Sequence, residues 1–304
     1  MKKLRILPML LALLLLSTAC GAVAVPKSAD HLDLAEKVVF RGSAATAESR
    51  WNYEISTYTV TGEHYASDDP EHVLIRHSYQ MPRMRVMDAQ GQKKEQSGAA
   101  SKAAREFNAY FESRLQDEVA WFDEMVAIAE EDYAAVGHEK DSLWQEENFC
   151  YSDETTLDFW TNDTVVCVTT TNYSYTGGAH PNVWRSAASF DLRTGKEVTL
   201  AEMTDDVARL EQVVAEELLR QAEERRVRDG EEPTEEKVAF FPDYQETLEN
   251  WMERSVAFGD DGVTVIFAVY DITPYAAGEQ VFTVPYELLK PCLNSCGREL
   301  LHLN

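Results

Sequence analysis

Two short stretches hold most of the side chains able to do chemistry. In residues 173–200, Tyr173 and Tyr175 lead into Gly177-Gly178, and His180, Pro181, Asn182 and Trp184 follow. In residues 269–289, Tyr270 and Tyr275 bracket a Pro-containing turn that ends at Gly278. Histidine is the side chain best suited to moving a proton near neutral pH, so His180, displayed by a Gly-rich turn, is the one candidate for acid–base chemistry. Such chemistry needs a nucleophile or a second ligand beside it, and the neighbouring sequence offers neither. Aromatic residues on loops favour recognition instead, because they supply a large contact area at small entropic cost. They stack on the apolar faces of sugar rings or anchor a protein partner. Tyr175, Gly177, Gly178, His180, Asn182, Trp184, Tyr270 and Tyr275 are therefore the expected ligand- or partner-binding residues. An enzyme with a site near His180 is the alternative. For Tyr173, Tyr270 and Tyr275, a role as core or corner residues whose hydroxyls tie down the turns fits the sequence equally well.

No catalytic set emerges elsewhere: HExxH, GxSxG and Walker patterns are absent, and the seven His are scattered. His72 and His77, at an odd spacing, point to opposite faces of a strand. No cofactor and no metal site are expected. Of the five Cys, Cys20 belongs to the leader. The remaining four allow two disulfides in three connectivities. Cys150 and Cys167 lie in successive strands and are the tentative pair across a hairpin, while Cys292 and Cys296 sit close together near the end. A zinc site made from all four lacks the CxxC spacing such sites use.

These side chains need elements to position them. Gly177-Gly178 permits positive φ and a tight turn, and Pro181 pushes His180 toward extended backbone. Residues 186–192 continue as a strand, Arg193-Thr194-Gly195 turns, and residues 196–200 return as a hairpin partner. Upstream, residues 53–63 alternate as a strand, and residues 73–86 form another, whose Met81-Pro82 implies an edge position or a bulge. After a polar loop at residues 89–101, Phe107, Phe111, Leu115, Val119, Phe122, Val126, Ala129 and Tyr133 recur at helical spacing, the core stripe of a long helix. Residues 149–174 hold paired strands centred on Val165, Val166 and Val168. Thr204 is the expected cap of a helix with Val207, Leu210, Val214 and Leu218 inward. Arg225, Arg226 and Arg228 in its last turn favour the helix end. Tyr244, Leu248, Trp251 and Met252 mark a shorter helix, and Asp260-Asp261-Gly262 a hairpin. Strands, helix, strands, helices, strands: the order predicts α+β, with two modules, each an antiparallel-rich sheet packed with amphipathic helices.

Residues 1–20 read as a leader: MKKLR, an apolar run to Leu16, then Ser-Thr-Ala-Cys. Cys20 is the expected lipidation site, holding the protein to the membrane by an N-terminal lipid. The expected location is the outer face of the cytoplasmic membrane, or the periplasm or outer membrane of a cell with two membranes. Residues 21–50 follow as a tether with one docked strand around Val38-Val39-Phe40. Residues 51–140 form the smaller module, 141–291 the larger one, and 292–304 a tail. The hydrophobic share of 44% with 13 Tyr excludes a disordered chain. The formal charge of −25, made more acidic by loss of Lys2, Lys3 and Arg5, repels nucleic acid and anionic head groups and favours a cationic partner.

The segments YTGGAHP, starting at Tyr175, FDLRTGKEVTL, starting at Phe190, and VYDITPYAAGEQVFTVPYELL, starting at Val269, occur in an order that carries a resemblance. Together they resemble the C-terminal module shared by RsiV-type anti-sigma factors and the non-catalytic part of PdaC-type peptidoglycan deacetylases. Residues 51–133 are similar to the smaller module that precedes it there. Thr273 stands where the family more often has Ala. The resemblance implies an extracytoplasmic binding protein whose partner is peptidoglycan glycan or a lysozyme-type cationic protein. The paired aspartates and histidines of the family's separate deacetylase domain have no match here. Five residues precede the apolar run, so no cytoplasmic segment able to hold a sigma factor is expected.

Overall fold

The computed structural model describes residues 36–45, 50–88, 90–93, 98–228, 232–234 and 236–303. The leader, Cys20 and most of the tether lie outside the described residues. The strand expected at Val38-Val39-Phe40 is β1 (Lys37–Ala45), which pairs with β2 (Arg50–Tyr65), and β2 pairs in turn with β3 (Val73–Met87). The helix α1 (Ala99–Val136) then carries the chain over the sheet, so β4 (Tyr151–Thr161) joins β3 in parallel, the orientation that only a long crossover permits. β5 (Val165–Tyr175) and β6 (Asn182–Asp191) complete six strands in chain order, with every other pairing antiparallel. The sheet therefore runs without interruption across residue 140.

A second sheet holds β7 (Ser255–Phe258), β8 (Gly262–Phe267) and β9 (Gln280–Pro285), with α2 (Val207–Arg225) and α3 (Tyr244–Glu249) against it. The turn at Asp260-Asp261-Gly262 joins β7 to β8, as its chemistry predicts. Two short helices, α4 (Tyr286–Leu289) and α5 (Ser295–Leu300), close the chain. The class is α+β, as expected.

β5 explains how the layers join. Val166 and Val168 face α1, packing with Phe107, Phe111 and Phe190, whereas Val165 and Cys167 face the second sheet, packing with Leu210, Phe258 and Phe267. A four-residue apolar run with no polar alternation is what a strand buried on both faces requires. Phe107, Phe111, Phe122, Ala129 and Tyr133 of the helical stripe are buried, while Leu115, Val119 and Val126 are half-buried. Gly195 has φ 71°, and a Cβ there would lie 1.8 Å from the Ala103 carbonyl oxygen, so the turn can seat on α1 only without a side chain.

Several local expectations change. Cys167 lies opposite Trp160, and Cys150 lies beyond the far end of the same ladder. About ten residues of strand, roughly 30 Å, separate the two; all four described Cys are free. Asn162 sets this register, its Oδ1 accepting from the Thr164 and Val165 amides. Residues 196–200 return toward β6 through one bridge, Phe190 to Glu197, rather than a strand. Asp206, not Thr204, caps α2, accepting from the Arg209 amide; the Thr204 hydroxyl donates to the Cys292 carbonyl. Pro82 lies beyond residue 79, where β3 parts from β4, so it is at an edge locally within an interior strand. There the Asn108 side chain of α1 takes over, accepting from the Met84 amide and donating to the Met84 carbonyl.

The arginines at the end of α2 do different work. Arg225 donates to the Val281 carbonyl, with its guanidinium 4.6 Å from the Phe282 ring centre, and Gln221 donates to the Thr283 carbonyl. These bonds satisfy the outer edge of β9, which would otherwise offer unpaired carbonyls. Arg226 pairs instead with Glu223.

Candidate functional site

The loop after β5 and the loop after β8 meet. Gly177 and Gly178 have φ 84° and 92°, values that cost a side-chain-bearing residue free energy, and the Tyr175 hydroxyl donates to the Gly178 carbonyl at 3.1 Å. The reversed chain presents His180, whose ring stacks on Tyr275 with centroids 3.5 Å apart and planes 15° from parallel. The Tyr275 hydroxyl donates to the Pro181 carbonyl at 2.9 Å, and the Tyr270 hydroxyl lies 3.2 Å from His180 Nε2. Beside them, Arg185 of β6 is ion-paired with Glu279 ahead of β9. Thr273 is buried and donates to the Gly278 carbonyl, which fixes the one-turn helix carrying Tyr275.

Tyr270 is 54% exposed and has φ 70°. A bulky residue in the left-handed region costs about 1 kcal/mol or more relative to glycine. Such strain concentrates at functional positions. The three rings thus form a preformed aromatic surface spanning both sheets. His180 has Tyr270 as its hydrogen-bonding side-chain partner, and its Nδ1 faces the Pro181 carbonyl at 3.1 Å. No carboxylate or nucleophile joins it among the described residues, and no group of three or more His, Cys, Asp or Glu there is placed to hold a metal.

The expected binding residues divide between two places. Tyr175, Gly177, Gly178, His180, Tyr270 and Tyr275 gather at the loops. Trp184 and Asn182 do not join them: Trp184 pairs with Asn172 and Asn182 with Ser174, which alternation places on the same side of the sheet as Val166 and Val168, with both residues exposed. Arg185, the next residue, points the other way.

Beneath α1 lies a polar group that the sequence reading missed. The Tyr79 hydroxyl donates to Asp153 Oδ2 at 2.6 Å, and the Glu118 carbonyl lies 3.4 Å from the same hydroxyl. Burial holds the Asp153 carboxyl above its usual range, and burial followed by the Asp153 charge does the same to Glu118. His77, 6% exposed and packed between Tyr79 and Phe122, is pushed down to about 4 by burial. On β5 beside this group, Thr170, Asn172 and Ser174 recur at alternate positions directly after the apolar run, with Ser174 opposite Asp153.

Residues 199–287 match the profile of a family described as a protein of unknown function (DUF3298). The chain is similar to a DUF3298 family member from Bacteroides fragilis, with TM-score 0.54 and 17% identity over 82% of this chain and 96% of that one. A DUF3298 family protein from Pseudomonas aeruginosa aligns at TM-score 0.47 and 16% identity, over 79% and 94% of the two chains. At this identity the first likeness shows a shared fold. No curated protein matches.

Proposed function

We propose that this protein is a recognition module of the cell envelope, held to the membrane by a lipid on Cys20, which captures a cationic protein of the lysozyme type. The observation that carries the reading is the Tyr270–His180–Tyr275 cluster: an exposed, strained aromatic residue hydrogen-bonded to a stacked pair, in a chain of net charge −25. Aromatic anchors held rigidly by their neighbours are typical centres of binding energy, and an acidic surface speeds the encounter with a basic partner. The resemblance to RsiV-type modules implies the same partner class, and the match of residues 199–287 to the DUF3298 profile is consistent with that resemblance. An enzyme centred on His180 fits less well, since that ring is committed to Tyr270, Tyr275 and a backbone carbonyl.

Calorimetric titration of the soluble form, without leader and Cys20, against a C-type lysozyme at two salt concentrations tests the proposal. Saturable binding that persists at the higher salt is the expected result, since short-range aromatic contacts escape screening. Heat that disappears with modest salt would leave only non-specific attraction between opposite charges and would reject it.

A further inference from the structure

The opposite face of β5 and β6 carries a cleft. Where β3 parts from β4, the sheet face is left short of helix cover, and a cavity of ≈100 Å³ opens between α1 and the three strands β4, β5 and β6. One end of this face is apolar: Phe159, Val168 and Ala188 share a rung and pack on α1. The following rungs change character. Leu157, Thr170 and Ser186 come next, then Thr155, Asn172 and Trp184. Gln80, Arg114 and Glu118 form the facing wall.

Polar side chains on a face turned toward a helix are costly unless they are satisfied. Here they are only partly so. Asn172 is 2% exposed; its Oδ1 accepts from the Thr155 hydroxyl at 3.2 Å, and its amide nitrogen has no partner. Gln80 uses its carbonyl oxygen to accept from the Leu157 amide at 3.3 Å. The Thr170 and Ser186 hydroxyls make no hydrogen bond among the described residues. Beyond them stands Trp184, 38% exposed. The wall is also close to neutral, because Arg114 and Glu118 lie 3.8 Å apart as an ion pair, in a chain otherwise dominated by acidic groups.

From this juxtaposition we infer that the cleft between α1 and β4–β6 binds a neutral saccharide. Hydroxyls and planar amides match the donors and acceptors around a sugar ring, and the indole at the rim offers a face for its C–H surface. Among the lining residues, Arg114 and Glu118 offset each other, so a charged ligand would find no unpaired ion there. The cavity is smaller than the about 150 Å³ that encloses a benzene molecule, so it admits one hydroxyl-bearing edge of a sugar ring, with the rest of the saccharide running over Trp184. This site is separate from the loop cluster and does not depend on the reading given for it.

The test is a titration of ¹⁵N-labelled protein with tri-N-acetylchitotriose and, separately, with cellotriose, each to about 10 mM, a range suited to millimolar dissociation constants. Saturable shifts at Thr155, Thr170, Asn172 and Ser186 with at least one sugar are expected. Thr170→Val, which replaces a hydroxyl by a methyl at constant shape, and Trp184→Ala should each weaken binding about fivefold or more, whereas Tyr270→Ala should leave it unchanged. Should Trp184→Ala fail to fold, Thr170→Val alone retains the test. Absence of saturable shifts with both sugars, shifts confined to residues 270–275, or affinity undiminished by Thr170→Val would overturn the assignment.

Discussion

Toward the second sheet, β5 and β6 run from the apolar pair Val165 and Cys167 to a cluster of rings supplied by two loops; toward α1, the same strands run from Val166 and Val168 to hydroxyls, amides and one indole. Both faces begin as core and end as candidate sites, yet their construction differs. The ring cluster exists only where two sheets bring their loops together. The polar cleft needs one sheet and one helix, and it opens because β3 and β4 diverge. Two binding surfaces of unlike chemistry can therefore share a pair of strands.

The largest test of this comparison concerns the shared core. Phe190→Ala on the α1 side and Phe282→Ala in the second sheet should each cost about 3–5 kcal/mol, the usual loss for a buried Phe. Because β5 belongs to both cores, thermal unfolding of either variant should remain one transition; two separated transitions would show that the faces are energetically independent.

Next in size is a pH effect confined to the α1 side. His77 titrates at about 4 in the fold and near 6.5 unfolded. The unfolded chain binds the extra proton between these values, so the stability His77 contributes above pH 6.5 is lost as pH falls toward 4, on the order of 3 kcal/mol. Asp153 and Glu118, raised by burial, act in the opposite sense: their contribution is present at low pH and lost as pH rises through their folded values. Denaturant titrations from pH 4 to 7 should show His77→Phe losing the acid-side decline. An unchanged slope would remove His77 from the account.

Smaller effects belong to the loops. Gly177→Ala should cost about 1–2 kcal/mol from positive φ and the 3.3 Å approach to Leu143 Cδ1, measurable as a lowered denaturant midpoint. Tyr270→Gly should leave stability unchanged or raise it by up to about 1 kcal/mol through relief of strain, while lysozyme affinity falls. A clear loss of stability would make Tyr270 a structural corner instead.

The sequence disclosed whatever was local. The helical stripe from Phe107 to Tyr133, the doubly buried run at Val165 to Val168 and the turn at Asp260-Asp261-Gly262 are each encoded within a few residues, by period or by turn chemistry. The meeting of His180 with Tyr270 and Tyr275 was prefigured only as two separate aromatic loops, since contacts across some 90 residues leave no periodic trace. The parallel union of β3 and β4 was hidden for the same reason. The Cys150–Cys167 pairing fails by register: the strands are legible in the sequence, but the alignment that the turn at Asn162 sets leaves the two Cys at opposite ends of the ladder. Trp184 and Asn182 lie close to the loop residues in sequence, but strand alternation sends them to the other face. Thr170, Asn172 and Ser174 resembled an ordinary solvent-facing row, because alternation alone does not say which face a helix will cover.

The most direct test compares Tyr270→Ala and Trp184→Ala in parallel calorimetric titrations with a C-type lysozyme at the higher salt concentration. If the ring cluster is the protein-binding surface, Tyr270→Ala loses about tenfold or more in affinity and Trp184→Ala binds as the unaltered protein does. Equal loss in both variants, or loss only in Trp184→Ala, would contradict the division of the two faces and place the partner on the α1 side.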